Sequence, residues 1–236
     1  MQVRQVRNDV CYHPNVKIVS VGGGLAYGSA GYTHHGIEDL AVMRVMPNMT
    51  VLAPGDPVET RLLTIAAVER PGPCYLRLGK AGESIIHTSQ RDLQIGKAIL
   101  LRKGDQGTLI STGATLGMVM RAACDLSAGG ISVSVLSMPS LSPLDKDAIL
   151  MAASDTGRIV TVEDHGLGGL GTAVAEVLAA SAIPCRFSAM YLYAEPAIVA
   201  GSQATMYAKH GVTASDIVAK MASLHQKSAI FKIVGT

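Results

Sequence analysis

Two rhythms alternate along the chain: short β-branched or aliphatic runs, and longer stretches whose apolar positions recur three and four residues apart. The first rhythm predicts buried strands and the second amphipathic helices. Strands are expected over 16–21, 49–52 and 74–78, with helices over 37–45, stopped by Pro47, and 57–69, stopped by Pro71-Gly72-Pro73. Asp56-Pro57-Val58-Glu59 reads as the second helix's start, because Asp56 can cap, Pro57 fits the first turn and Glu59 falls three positions after the cap. Residues 79–94 lack a sustained period and read as a linker holding a brief strand at 84–87, so two domains are expected, 1–90 and 91–236. Beyond the linker come strands at 98–101, 108–111, 131–136, 159–162 and 186–191, with helices at 116–127, 144–153, 172–181 and 215–224, the last capped by Thr213 or Ser215. Strands separated by helices of this length imply right-handed crossovers. The expected fold class is α/β, two three-layer domains with mostly parallel sheets.

Composition agrees with that class. The 236 residues are 48% hydrophobic yet only 4% aromatic, with no Trp and 25 Gly, which suits aliphatic strands approached closely by helices. A net charge of +2, from 20 basic and 18 acidic residues without long runs, gives no footprint for nucleic acid or a membrane surface. Cys11, Cys74, Cys124 and Cys185 are far apart, so neither a zinc site nor a disulfide framework is indicated. The most apolar stretch, 172–183, contains Glu176 and ends at Pro184, and the N-terminus has no signal-peptide core. A cytoplasmic protein is expected.

Three places carry candidate chemistry. Residues 22–36 form a glycine-dense loop leaving a strand and opening a helix, where open α/β sheets place ligands. His34 in that loop can exchange a proton near neutral pH, whereas adjacent His34 and His35 point apart unless the backbone turns sharply, so no metal site is expected. Arg77 ends a strand, placed either to hold a phosphate bidentately or to form a surface ion pair. Gly166-Leu167-Gly168-Gly169-Leu170-Gly171 fits the dinucleotide pattern G-x-G-x-x-G. Glu163, Asp164 and His165 intervene between strand and glycines, and two carboxylates there would repel a diphosphate, so close helix packing is the expected use.

Gly31-Tyr32-Thr33-His34-His35-Gly36-Ile37-Glu38-Asp39-Leu40, followed by Arg44, Pro47-Asn48-Met49, Val51 and Pro54-Gly55-Asp56, resembles the pyrimidine-domain signature of transketolases and related thiamine-diphosphate synthases. Val162-Glu163-Asp164-His165, with Gly168 to Gly171 and Ala173-Val174-Ala175-Glu176, resembles the C-terminal domain of the same family. The resemblance implies transfer of a two-carbon ketol unit between sugar phosphates on thiamine diphosphate with Mg2+. It implies that His34 lies over the thiazolium and substrate, as catalytic, cofactor-binding and substrate-binding residue, and that Arg77 holds the substrate phosphate. Ala30, Tyr32 and Gly22 stand where transketolases often carry an aspartate, a proline and a phosphate-binding histidine. The glutamate that activates the cofactor would lie upstream of Met1, so the first domain is expected to be incomplete and the isolated chain inactive and without bound cofactor. An N-terminal transketolase section is the implied partner, in a homodimer or higher oligomer. The alternatives are a non-catalytic dimerisation or regulatory module and the β subunit of a 2-oxoacid dehydrogenase E1 component.

Overall fold

The alternating rhythms fold into two sheets flanked by helices, in a computed structural model that describes residues 3–12, 15–87, 93–193 and 200–226. Helix α1 (Val3–Gln5) runs into a π-helical turn over Val6–Val10 and precedes β1 (Lys17–Val21). Tight turns at Gly28–Ala30 and Tyr32–His34 lead to α2 (Asp39–Arg44), β2 (Thr50–Leu52), α3 (Pro57–Glu69) and β3 (Cys74–Leu78). Strands β1 and β2 both pair in parallel with β3, Val19 opposite Leu76 and Val51 opposite Tyr75. The two-residue period then sends Cys74 and Leu76 against Leu63 and Ala67 of α3, while Val51 and Tyr75 join a core on the other face with Leu40 and Met49.

The rest of the chain supplies β4 (Ile99–Arg102), β5 (Gly107–Ser111), α4 (Leu116–Ala128), β6 (Val133–Ser137), β7 (Ser140–Ser142), α5 (Lys146–Thr156), β8 (Arg158–Val162), α6 (Leu170–Ala179), β9 (Arg186–Met190), α7 (Gln203–Lys209) and α8 (Ala214–His225). The second sheet has the order β4-β6-β5-β8-β9, parallel except for β4. Leu109, Val135, Val160 and Val162 meet Val119, Leu126, Ile217 and Met221 of α4 and α8. Ile110 and Ile159 face the other way, onto Ile149 and Val174 of α5 and α6. Two α/β units with mostly parallel sheets follow, as the sequence predicts. Among the described residues no helix is long and apolar enough to cross a membrane.

Asp56 caps α3 as expected, its Oδ1 accepting from the Glu59 amide at 2.8 Å, worth about 1 kcal/mol. Glu59 does not complete a capping box. It is fully buried, accepting from the Gly55 amide at 2.6 Å and from Ser137 Oγ, on the second sheet, at 2.5 Å. Thr213 caps α8 in a reciprocal box with Asp216.

Several elements differ from the sequence reading, beginning with the helical turns over Val3–Gln5 and Val6–Val10, where no element is expected. Residues 84–87 form no strand, because Asp56 Oδ2 accepts from the Ile86 and His87 amides at 2.9 and 3.0 Å and so takes the donors a ladder would need. Strand β7 pairs antiparallel with β2, so a segment beyond residue 90 completes the first sheet, in the order β1-β3-β2-β7. Helix α7 was not foreseen. At the opposite edge β1 pairs only with β3 among the described residues, and its Val19 and Val21 are 55% and 57% exposed. A parallel sheet is normally covered, and this edge is open.

Candidate functional site

The loop after β1 is fastened at its base. Gly24 and Gly36 exchange two backbone hydrogen bonds of 2.8 and 3.0 Å, and the Gly22 and Gly23 amides both donate to the Leu78 carbonyl at the end of β3. Side chains are excluded here: a Cβ on Gly23 would lie 2.3 Å from Arg77 Nε, and one on Gly24, at φ +64°, 2.1 Å from Asp164 Oδ2. Beyond this base the chain rises through the Tyr32–His34 turn, where His34 is exposed and its Nδ1 lies 3.1 Å from Thr33 Oγ1. That contact leaves Nε2 for an outside partner. His35 is half-buried, its ring edge-on to Tyr32 at 6.1 Å.

Arg77 is 3% exposed and is not the surface ion pair considered from the sequence. Its Nη1 donates to Asp164 Oδ1 at 2.7 Å, and its Nη2 donates to the carbonyls of Gly36 at 2.8 Å and Asp164 at 3.0 Å. Nε lies 3.0 Å from Asp39 Oδ2, a charge contact without hydrogen-bond alignment. Burial opposes the guanidinium charge, but Asp164 and Asp39 more than offset it and raise the pKa further. Buried, and with both Nη groups committed within the chain, the guanidinium turns no open face to a phosphate, so the phosphate-holding expectation for Arg77 lacks geometric support. Around it, Tyr75 Oη donates to Asp39 Oδ2 at 2.6 Å and Tyr207 Oη to Asp164 Oδ2 at 3.2 Å.

The turn after β8 meets the segment after His34 at several points. His165, fully buried, donates from Nδ1 to the Gly166 carbonyl at 2.9 Å and accepts at Nε2 from the Leu40 amide, 3.0 Å away in the first turn of α2. Burial, then the Arg77 charge, lowers its pKa and keeps it neutral. The Gly166 amide donates to the Ile37 carbonyl at 2.7 Å, and Arg44 donates to the Gly168 carbonyl at 2.5 Å. Glu163 folds back onto the start of α6 and accepts from the Leu170 and Gly171 amides at 2.7 Å each. Burial pushes its carboxyl up to about 7 despite those donors. A diphosphate on this G-x-G-x-x-G turn would need the same amides, and a Cβ on Gly169 would lie 2.0 Å from Glu163 Oε2. The chain's own carboxylate therefore fills the place a dinucleotide would take.

One exposed cation at the same strand exit escaped the sequence reading. Lys80 follows β3, places Nζ 5.7 Å from the Tyr27 ring centroid, and lines a cleft of about 510 Å³ with Arg61, Val21, Pro54 and Leu78. The cleft sits at the carboxyl ends of β1, β2 and β3, where parallel sheets bind ligands. Its signal was present as Gly79-Lys80, just past the strand.

A glycine loop at the carboxyl edge of one sheet, locked to a second parallel sheet through a buried ion pair, defines a two-unit α/β module with exposed His34 and Lys80 on the first unit. The chain belongs to the transketolase family: residues 4–82 match the transketolase pyrimidine binding domain, and residues 96–217 the transketolase C-terminal domain. It is 38% identical over 213 residues to one of the subunits of the apulose-4-phosphate transketolase of Phocaeicola vulgatus, covering 89% of this chain and 67% of that one. It is 34% identical over 230 residues to 1-deoxy-D-xylulose-5-phosphate synthase of Desulfotalea psychrophila, covering 94% of this chain and 36% of the synthase. A solved structure described as a split gene transketolase in an inactive beta4 tetramer superposes with a TM-score of 0.85 at 35% identity, covering 93% of this chain and 70% of that one.

Proposed function

We propose that the chain is the C-terminal component of a two-part, thiamine-diphosphate-dependent transketolase that moves a two-carbon ketol unit between sugar phosphates and works only with an N-terminal section. The observation that carries this is exposed His34, presented on a fastened loop at the carboxyl edge of a sheet whose β1 edge is open. The relatedness to a single subunit of a multi-subunit transketolase supports the two-part organisation. Thiamine diphosphate, when bound, supplies the carbanion-stabilising chemistry. Its diphosphate does not fit the glycine turn before α6, where Glu163 holds the amides, so the N-terminal section supplies the diphosphate and Mg2+ ligands. His34 Nε2 holds or donates a proton at the substrate oxygen, with Thr33 fixing the other nitrogen. Lys80, rather than Arg77, takes the substrate phosphate as a point charge at the mouth of the cleft. A homodimer or higher oligomer covers the open β1 edge once the N-terminal section is in place.

Titrating thiamine diphosphate and Mg2+ into the chain alone is expected to show no binding at micromolar concentrations, and ketol transfer is expected to appear on adding an N-terminal section. Transfer by the chain alone would overturn the two-part reading. A pair that binds the cofactor yet transfers nothing would overturn the activity.

A further inference from the structure

We infer that Asp164, carried by the second sheet, is a positioning residue for His34 on the first. The inference rests on the proposed role of His34, and it gives the C-terminal domain a part in the chemistry without touching substrate. Asp164 is 1% exposed, follows β8 and Glu163, and grips Arg77 with both its side chain and its backbone carbonyl. Arg77 in turn holds the Gly36 carbonyl, two residues after His34, at 2.8 Å. Gly24, hydrogen-bonded to Gly36 across the loop base, packs directly on the Asp164 carboxylate, where no side chain fits. The next two residues of the same turn continue the grip, His165 on the Leu40 amide and Gly166 on the Ile37 carbonyl. The loop that presents His34 is thus fixed at its base by side chains anchored in the other sheet, and a small shift of a reacting group carries a large rate penalty. Tyr207, from α7, orients the remaining Asp164 oxygen.

Histidine-labelled chain observed by NMR tests this without turnover. His34→Gln assigns the His34 signals, and His225, beside Arg158 and Arg186 at the amino ends of β8 and β9, serves as the internal reference. In Asp164→Asn the His34 imidazole signals are expected to move and broaden while those of His225 stay in place. Arg77→Lys, which keeps the charge but not the fork, is expected to perturb the same signals. In the pair with an N-terminal section, kcat of Asp164→Asn is expected to fall about ten- to hundred-fold with KM within about two-fold. Unmoved His34 signals in a variant with lower thermal stability would overturn the inference, leaving Asp164 a purely structural tie. Should Asp164→Asn fail to fold, Asp164→Glu keeps the charge but displaces the carboxylate, and the same displacement of His34 signals is required of it. If the pair transfers no ketol units at all, the resonances still decide the positioning role.

Discussion

Two glycine-dense segments leave the carboxyl ends of parallel strands in this molecule and end in opposite ways. Residues 22–36, after β1, lift exposed His34 into solvent on a base of paired glycines. Residues 163–171, after β8, close on themselves, with Glu163 filling the amides of α6 and His165 those of α2. In both, glycine is present because something approaches the backbone closely, and at Gly24 and Gly169 that something is a carboxylate of the chain itself. Glycine density therefore reports close approach, and whether a ligand site results depends on whether the donors are already satisfied.

The comparison breaks most readily at the tie between the segments. Arg77→Met would leave Asp164, 1% exposed, and partly buried Asp39 without their counter-charge. Removing one partner of a buried pair costs about 3–5 kcal/mol, so the urea midpoint is expected to fall by that equivalent. A loss under about 1 kcal/mol, the scale of a surface pair, would mean that the two segments are held by apolar packing and not by this ion pair.

The closed segment is sharpened by pH. The Glu163 pKa stands near 7 in the folded chain against an ordinary value of 4.5, so the folded state holds the proton more tightly than the unfolded one. Its contribution is fully present below the ordinary value and is lost as pH rises through about 7, amounting to about 3 kcal/mol. Stability is expected to decline over that window, and Glu163→Gln to flatten the decline whatever its constant offset from the altered hydrogen bonding. A decline that survives the substitution undiminished would remove Glu163 from it and assign it to Glu59, the other buried carboxyl that burial pushes up.

Much of the fold was legible because hydrophobic period and capping act locally. The parallel strands, the Asp56 cap and the two sheet units followed from residues within a few positions of one another. Strand β7 was not legible, since Ser140-Leu141-Ser142 has no pattern of its own and forms a strand only because β2 lies alongside. The strand expected at 84–87 failed for the converse reason: Asp56, some thirty residues earlier, draws off its amides. At the site, the segments around His34 and around 163–165 both stand out in the sequence, yet the contacts between them, His165 with the Leu40 amide and Gly166 with the Ile37 carbonyl, are invisible there. Arg77 shows why. A guanidinium at a strand exit reads either as a phosphate ligand or as a surface ion pair until the carboxylate that holds it, 87 residues away, is known.

The open segment is tested by the smallest stability effect of the series. His34 is exposed, contacts Thr33 Oγ1, and lies outside the buried clusters, so His34→Gln is expected to change stability by no more than about 0.5 kcal/mol. Its effect belongs on kcat of the assembled pair, because Gln keeps a hydrogen-bonding tip but cannot exchange a proton, a role worth about 100-fold or more. A variant as stable and as active as the wild type would strip the loop of its chemistry, and both glycine segments would then be packing devices. Full activity loss with unchanged stability instead places the function on the segment that leaves its apex unsatisfied, and confines the closed one to holding it there.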